Sequence, residues 1–431
     1  MGTAVDTETT TPIHLSTKAN DSAESISTLR RRYSSLFESI REGAVEREQR
    51  RELPFLVVEE LRQAGFTKLR VPVVFGGGGE SLETFFELLL DLAAADSNVA
   101  HLLRGHIAYV ENLLLREPDA HRDAWLQRIG SGALIGNASS ERQELTEITT
   151  VLEQGPTGLT VTGTKYYTTG SIYADWISLS AVRDGERFNV LVRADDVGLK
   201  IVDDWDGFGQ QLTASGSMTL NNVKVDESDI TGFDLANPHL GFGVGIFQTT
   251  LLAVAAGIAQ AAVNDAVEFV KPRRRTFANP GELAPRDQDL VQNVIGESAA
   301  KAYSARLIVA GQVRSLAAYA ARAADGKHVG LDSFESLQEA AGLLALEVFN
   351  AQHVVLKLAL ETATEIFEVG GASATSTVRR LDRHWRNART VASHNPTKYR
   401  SRAVGEYLLT GELRIFGERN PQTSSTVQTQ N

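Results

Sequence analysis

The apolar residues of this 431-residue chain change their spacing twice, and this change restricts the folds open to it. From about residue 26 to residue 128 they recur at the spacing of amphipathic helices. From about 133 to 233 they form short β-type runs, one of which contains the turn-forming pair Asp184-Gly185 between two apolar stretches, as in a hairpin. From about 240 to 411 helical spacing returns. The order predicts a helical, a β and a second helical domain.

These changes of pattern also predict the domain boundaries. We expect an N-terminal helical domain over 26–132, a central β domain over 133–235 and a C-terminal helical domain over 236–418. The tails 1–25 and 419–431 are too polar to bury the surface that an ordered segment needs. The fold class is therefore α+β, and mainly α.

Charge and composition exclude several classes of protein. The net charge of −11 argues against a general nucleic-acid binder, and the lack of cysteine excludes disulfides and thiolate metal sites and favours the cytoplasm. The first residues lack the apolar core of a signal peptide. The most apolar run, Leu251 to Ala259, is too short to cross a membrane, so we predict a buried helix there. No metal site is predicted.

Four strings in the predicted β and C-terminal domains carry the most informative polar and aromatic residues. They are GNASSE (136–141), GTKYYTTGS (163–171), DDWDGFGQQLTASGS (203–217) and HWRNARTVASHNP (384–396). In this order and spacing they resemble the flavin-dependent monooxygenase branch of the acyl-CoA dehydrogenase superfamily, which includes the dibenzothiophene monooxygenases of desulfurization. The resemblance covers roughly residues 27–415. It implies an N-terminal helical domain, a central β-barrel-like domain and a C-terminal four-helix bundle.

Asn395 marks the difference from a dehydrogenase. It stands where that family commonly keeps a catalytic glutamate, and an amide cannot abstract a proton. The family's second location for a base corresponds to Phe247 or Gln248, and no Asp or Glu occurs anywhere from residue 235 to residue 264. Dehydrogenation therefore lacks its usual base.

The resemblance implies that His106 and His394 are catalytic. His394 precedes Asn395 and Pro396, and the proline favours an extended backbone that would present the imidazole to a cavity; a helix-cap role is the alternative. His101 and His106 lie in one predicted helical segment, about 140° apart, so both cannot face one pocket. The resemblance selects His106 and leaves His101 on the helix face.

The remaining site residues are likewise implied by the resemblance. Thr169 is expected to bond the reactive ring nitrogen of the flavin, and Tyr167 to pack against the ring, although both residue types are common in half-buried strands. Further FMN contacts are expected from Asn137, Ser139, Ser140, Arg274 and Arg275. The substrate pocket is expected to include Trp205, Phe247 and Asn395. For Asn137, Ser139 and Ser140 the alternative is an ordinary turn. For Arg274 and Arg275 it is a solvated basic helix end.

The implied activity is that of a two-component monooxygenase. Reduced FMN, rather than FAD, would come from a separate NAD(P)H-dependent reductase, because the chain shows no recognisable nicotinamide-binding motif. A flavin hydroperoxide would oxygenate a small organosulfur or aromatic heterocyclic substrate, with a histidine of near-neutral pKa as proton donor. A homotetramer is expected. The alternatives are a dehydrogenase with a relocated base, an N- or C-hydroxylating relative and a non-catalytic flavin-binding protein.

Overall fold

The computed structural model describes residues 24–142, 148–155, 158–234, 237–275, 283–324 and 334–412. Most of the first predicted tail, and all of the second, lie outside these residues. Within them the elements follow the predicted order of helices, strands and helices. The element type changes between Gly130 and Ile135 and again between Gly232 and Leu240, close to the predicted domain boundaries.

Four of the six N-terminal helices begin at polar caps, and the helices bury an apolar face. They are α1 Ile26–Arg50, α2 Phe55–Gln63, α3 Leu82–Ala95, α4 Ser97–Leu102, α5 Arg104–Leu115 and α6 Ala120–Gly130. The hydroxyl of Ser81 accepts a hydrogen bond from the Thr84 backbone at the start of α3, and the Asp96 carboxylate caps α4 in the same way. The predicted continuous helix through His101 and His106 is interrupted at Leu103, so the two histidines lie on different helices.

The central strands form one mixed sheet. They are β1 Ile135–Ala138, β2 Val151–Gly155, β3 Gly158–Lys165, β4 Trp176–Arg183, β5 Glu186–Arg193, β6 Leu199–Val202, β7 Ser217–Lys224 and β8 Ile230–Gly232. Their order is β6-β7-β3-β2-β4-β5-β8, with β1 parallel to β4. The predicted hairpin is confirmed, because Arg183 pairs with Glu186 across Asp184 (φ 54°) and Gly185 (φ 83°). Both turn residues have the positive φ that a tight hairpin requires.

The C-terminal helices surround one long apolar helix. They are α7 Leu240–Val270, α8 Asp289–Ala324, α9 Phe334–Glu365, α10 Asp382–Ser393 and α11 Thr397–Thr410. By length and composition alone, Leu240–Val270 and Glu339–Val369 could each cross a membrane, but most of the first is buried inside the bundle. The apolar stretch is thus longer than the run predicted from the sequence, and it forms the bundle core, in contact with α3, α5, α8, α9 and α10.

Candidate active site

The joint between α4 and α5 brings the motif strings together. Gly170 (φ 77°) lies so close to this joint that a Cβ atom would be 2.0 Å from the Leu102 carbonyl oxygen. A Cβ atom on Gly105 would be 2.6 Å from the Cβ atom of Asn137. Because only glycine permits these approaches, GTKYYTTGS and GNASSE both pack against the same corner of the helical domain.

Arg104, the first residue of α5, connects this corner to the end of the chain. Its Nη1 atom lies 3.1 Å from Nε2 of His394, and its Nε atom donates to the Phe247 carbonyl at 3.1 Å. The guanidinium also lies over the Phe247 ring, 4.7 Å from the centroid. Because arginine has only donors, Nε2 of His394 must accept, and the proton of the neutral ring is on Nδ1.

A row of amides continues from this ring into the bundle. The Asn395 amide nitrogen lies 2.9 Å from Nδ1 of His394 and 2.9 Å from Oε1 of Gln248, which also accepts from Gln352 at 2.9 Å. A protonated Nδ1 needs an acceptor. When the imidazole is neutral, the oxygen and nitrogen of the Asn395, Gln248 and Gln352 amides therefore exchange places, so that the Asn395 oxygen accepts from Nδ1. In this orientation Oε1 of Gln352 accepts from Gln248, Nε2 of Gln352 takes the position without a partner among the described residues, and the 3.4 Å contact from Arg400 is lost.

The corner is cationic and free of acids. The pKa of His394 is held well below its usual value by removal of the ring from bulk water in the cleft, and further by the nearby charges of Arg104 and Arg400. Burial lowers the pKa of Arg104 to about 10, so its guanidinium remains charged near neutral pH. No carboxylate of the described residues is among the main causes of the low pKa of His394. The prediction of a near-neutral pKa is therefore wrong: His394 is a neutral hydrogen-bonding ring.

His101 has a larger part in the corner than the sequence suggested. Its Nδ1 atom lies 3.0 Å from Oε1 of Gln210, so the ring donates there, and its buried Nε2 atom has no partner among the described residues. Burial lowers the pKa of the His101 imidazole to about 4. Because the helix breaks at Leu103, the argument that His101 and His106 cannot face one pocket no longer applies. His101 offers an unfilled acceptor beside His394 and Arg104.

His106 does not fit its predicted catalytic role. Its Nε2 atom donates to the Thr67 carbonyl at 2.7 Å, and its Nδ1 atom accepts from the Ile135 backbone at 3.2 Å. Both ring nitrogens are thus engaged by backbone groups, and burial lowers the pKa of the imidazole to about 4. We correct the prediction: in this geometry His106 fastens α5 to β1 and to the preceding loop, and it has no free nitrogen for a ligand.

Thr169 belongs to a chain of buried hydroxyls. Thr213 donates to the Gln210 carbonyl at 2.8 Å, Ser215 lies 2.8 Å from Thr213, and Thr169 lies 2.7 Å from Ser215. Each hydroxyl has one proton, so Ser215 must donate to Thr213 and Thr169 must donate to Ser215. Thr169 therefore keeps only lone pairs for a ligand and is suited to accept a hydrogen bond from an N–H group.

Tyr167 and Trp205 form an aromatic pair on the outside of this chain. Tyr167 has φ 61°, which is unusual for an aromatic residue, and 48% of it is exposed. Its ring lies 6.1 Å from that of Trp205, whose indole nitrogen donates to the Gly209 carbonyl. Trp205 is not among the residues that line the large cavity described next, which does not fit the predicted position in a substrate pocket.

A cavity of about 540 Å³ lies between β1, β4, β5, β8, α5 and the start of α7. Three of the predicted site residues line it: Asn137, Ser139 and Phe247. Its volume lies in the range of about 300–1,000 Å³ typical of small-molecule sites. Ser140 is exposed instead, and its carbonyl accepts from the Tyr166 backbone. The cavity therefore starts beside the Arg104 corner and follows the sheet.

Arg274 and Arg275 lie too far from this corner to bind a flavin phosphate within one chain. They follow the C-terminal end of α7, whereas Phe247 lies near its start. The helix rise separates these ends by about 35 Å, far more than the ribityl chain of FMN can span. The prediction is therefore wrong for a site made by a single chain.

Comparisons with known proteins agree with this geometry. Residues 249–399 match the model of the acyl-CoA dehydrogenase C-terminal domain. The chain is 28% identical to the probable FMNH2-dependent monooxygenase SfnC of Pseudomonas putida, over 85% of this chain and 91% of SfnC. Over most of its length the chain is thus similar to flavin-dependent monooxygenases with the acyl-CoA dehydrogenase fold.

Two solved structures share the whole fold of this monooxygenase. TdsC of Paenibacillus sp. A11-2, a dibenzothiophene monooxygenase solved with FMN and indole, has a TM-score of 0.79 and 25% identity, over 90% of this chain and 98% of TdsC. The methanesulfinate monooxygenase MsuC of Pseudomonas fluorescens has a TM-score of 0.79 and 25% identity, over 89% of this chain and 97% of MsuC. Both cover more of the chain than the C-terminal domain alone.

The residues of the corner around Arg104 and His394 fit a flavin. The buried, unfilled Nε2 of His101 and the lone pairs of Thr169 can bond a polar ring edge, and the half-exposed Tyr167 offers an apolar face. Arg104 supplies positive charge without a competing carboxylate. His101, Arg104 and Ser215 could not be assigned to this site from the sequence. Their contacts with Gln210, His394 and Thr169 join positions that are distant along the chain. Ser215 does, however, lie inside a quoted motif string.

Proposed function

We propose that this chain is the oxygenase component of a two-component system that transfers one oxygen atom from dioxygen to a small organosulfur compound. Reduced FMN, when bound, would supply the two electrons that convert the second oxygen atom to water. The names of the similar proteins include dibenzothiophene and methanesulfinate, and sulfur is the heteroatom that these compounds share. Oxygenation at nitrogen or carbon would use the same residues.

The observation that carries this proposal is the acid-free corner at His394. An acyl-CoA dehydrogenase needs a carboxylate to remove a proton, whereas this corner holds Asn395, Gln248 and the Arg104 guanidinium. None of the described carboxylates is among the main causes of the low pKa of His394. The corner is thus suited to stabilise negative charge on oxygen and unsuited to create a carbanion.

Each side chain then has a defined part. Arg104 would stabilise negative charge that develops near it, and His394, as a neutral ring whose two nitrogens face Arg104 and Asn395, would orient the guanidinium. Thr169 would accept a hydrogen bond from the flavin, as the resemblance implies. Phe247, which packs under Arg104, helps to exclude water from the cavity entrance. Asn395 would hold the His394 tautomer.

The assembly and its supply of flavin belong to the same proposal. A separate NAD(P)H-dependent reductase would provide reduced FMN in the cytoplasm. In the expected homotetramer, a second copy of the chain is the only means by which Arg274 and Arg275 could reach a flavin at this corner, because α7 keeps them about 35 Å away in their own chain. The arginines would then bind the phosphate across a subunit boundary.

The test is an oxygen-transfer assay with labelled dioxygen. The purified protein is mixed with FMN, NADH, a flavin reductase and ¹⁸O₂, and supplied in turn with dibenzothiophene and methanesulfinate. We expect one labelled oxygen atom per turnover in at least one sulfur product. Labelled product that is equally abundant without the protein, or absent with both compounds, would contradict the proposal. Anaerobic bleaching of bound flavin by an acyl-CoA would instead support a dehydrogenase.

A further inference from the structure

We propose that the 540 Å³ cavity binds an organic anion and that Arg187 holds its charged group. The inference rests on the proposed function and names the class of its substrate. The charged group would lie away from the oxygenated atom. Asn137 pairs with Ser178, and Ser178 with Leu191, which is four residues along β5 from Arg187. This spacing places Arg187 about 13 Å from Asn137 in the strand direction and two strands across the sheet.

The sheet face toward the cavity is polar, which is unusual for a covered face. Along β4, the apolar Ile177, Leu179 and Ala181 belong to the core, while Ser178 between them lines the cavity. Along β5, Arg187, Asn189 and Leu191 alternate in the same way with the core residues Val190 and Val192. A polar strand face beneath helices needs partners, and a bound polar ligand would provide them.

Among the described residues, Arg187 is the cation lining this cavity that has no counter-ion. Its Nη2 atom donates to the Ser180 hydroxyl at 2.9 Å, and its guanidinium lies 4.1 Å from the centroid of the Phe233 ring. Its buried Nε atom has no partner, and no carboxylate of the described residues forms an ion pair with it. The neighbouring Lys165 is already paired with Glu141 at 2.7 Å. A partly buried, unpaired guanidinium is costly unless a ligand compensates it.

The other charged groups around the cavity do not fill this role. Asp229 accepts hydrogen bonds from the Trp125 indole at 2.9 Å and lies 3.1 Å from Nε2 of His121. Arg116 is paired with an acid of its own turn. Asp234 lines the cavity but is exposed. The charge that is available to a ligand inside the cavity is therefore positive, and Arg187 carries it.

Two isosteric probes test the proposal. Each carries a methylthio group as the oxidisable sulfur, and they differ only at the opposite end of a benzene ring: 4-(methylthio)benzoate is an anion, and 4-(methylthio)benzamide is neutral. Their dissociation constants are measured by calorimetry on the full chain, with and without FMN. We expect the anion to bind about tenfold or more tightly than the amide, as a charge-assisted hydrogen bond allows.

Two variants on one hairpin separate charge recognition from folding. Arg187→Gln should bring the two constants to within about twofold, while Arg187→Lys keeps part of the preference. Arg183→Gln changes the charge equally on the same hairpin but outside the residues that line the cavity, and should keep the wild-type ratio. Arg187→Gln should also melt at or above the wild-type temperature, because it removes an uncompensated charge.

Equal binding of both probes by the wild type, no binding of either, or an unchanged preference in Arg187→Gln would overturn the assignment of Arg187. This result is distinguishable from failure of the proposed function. A protein that transfers labelled oxygen but shows no anion preference disproves only the inference. A protein that prefers the anion, yet neither binds FMN nor transfers oxygen, disproves the function and leaves the anion site in place.

Discussion

Nε2 of His394 lies 3.1 Å from Nη1 of Arg104, so a donor that cannot lose its proton faces this ring nitrogen. The contact fixes the imidazole as the Nδ1–H tautomer, and that proton faces the Asn395 amide. A histidine held this way is polar but uncharged near neutral pH. The role of His394 is therefore to bond and orient, and a proton for water formation has to come from another source.

Arg104→Gln should raise the pKa of His394. Burial is the largest cause of the low pKa and the Arg104 charge is the next, so removing that charge favours the imidazolium while burial still keeps the pKa under 6.5. Histidine-ring NMR across the acidic range measures the change directly. Arg193→Gln, at an exposed ion pair, is the charge-matched control. An unchanged His394 titration in Arg104→Gln would show that the contact is absent in solution.

Asn395→Asp should uncouple oxygen consumption from product formation. The new carboxylate would lie beside His394, favour its protonated form and repel negative charge that develops on oxygen. We expect the ratio of hydrogen peroxide to oxygenated product to rise about tenfold or more, as for the loss of an electrostatic contribution of about 1.4 kcal/mol or more. Asn293→Asp on the exposed face of α8 makes the same chemical change and should leave the ratio unaltered.

His106→Ala should reduce stability and leave the coupling of oxygen to product unchanged. It would leave the Thr67 carbonyl and the Ile135 amide without partners, at a cost of about 2–3 kcal/mol in the free energy of unfolding. Urea denaturation measures this cost, and the exposed His353→Ala is the control. Greater peroxide release from His106→Ala under conditions where it remains folded would restore the catalytic assignment.

The buried imidazoles of His101 and His106, together with His394 beside Arg104, also predict an acid-labile fold. The pKa values of His101 and His106 are lowered to about 4 and that of His394 is held well below its usual range, so the unfolded chain binds more protons than the folded chain as pH falls below about 6.5. Their contribution to the free energy of unfolding is fully present above that pH and is lost as pH falls toward 4. His106→Ala should flatten this dependence in a series of urea titrations.

Ser215→Ala should weaken the discrimination between reduced and oxidised FMN. Thr169 now donates to Ser215 and can only accept from a ligand, which suits the protonated ring nitrogen of reduced flavin. Without Ser215 the Thr169 hydroxyl is free to turn and donate to the unprotonated nitrogen of oxidised flavin. Anaerobic fluorescence titrations with both forms give the ratio of the two dissociation constants. A ratio equal to that of the wild type would refute the proton order of the chain.

The order of elements and the Asp184-Gly185 hairpin could be predicted because periodicity and turn chemistry are local. The helix break at Leu103 could not, since apolar spacing continues across it, and the choice of His106 over His101 came from the family resemblance. The contact of Arg104 with His394 joins residues 290 positions apart, and no local sequence pattern predicts it. Phe247, Asn137 and Ser139 were placed through family resemblance, and the same resemblance could not show that Arg274 and Arg275 lie at the distant end of α7.

Leu103, the single residue between α4 and α5, sets the rotation of α5 about its own axis relative to α4. Deleting one residue there would turn α5 by about 100°, carrying Arg104 away from His394 and Gly105 away from Asn137 in one step. Substitutions along either helix change one contact at a time, whereas a change in length alters all of them. Natural relatives of this chain that lengthen or shorten this joint should therefore differ in chemistry more than their side chains alone suggest.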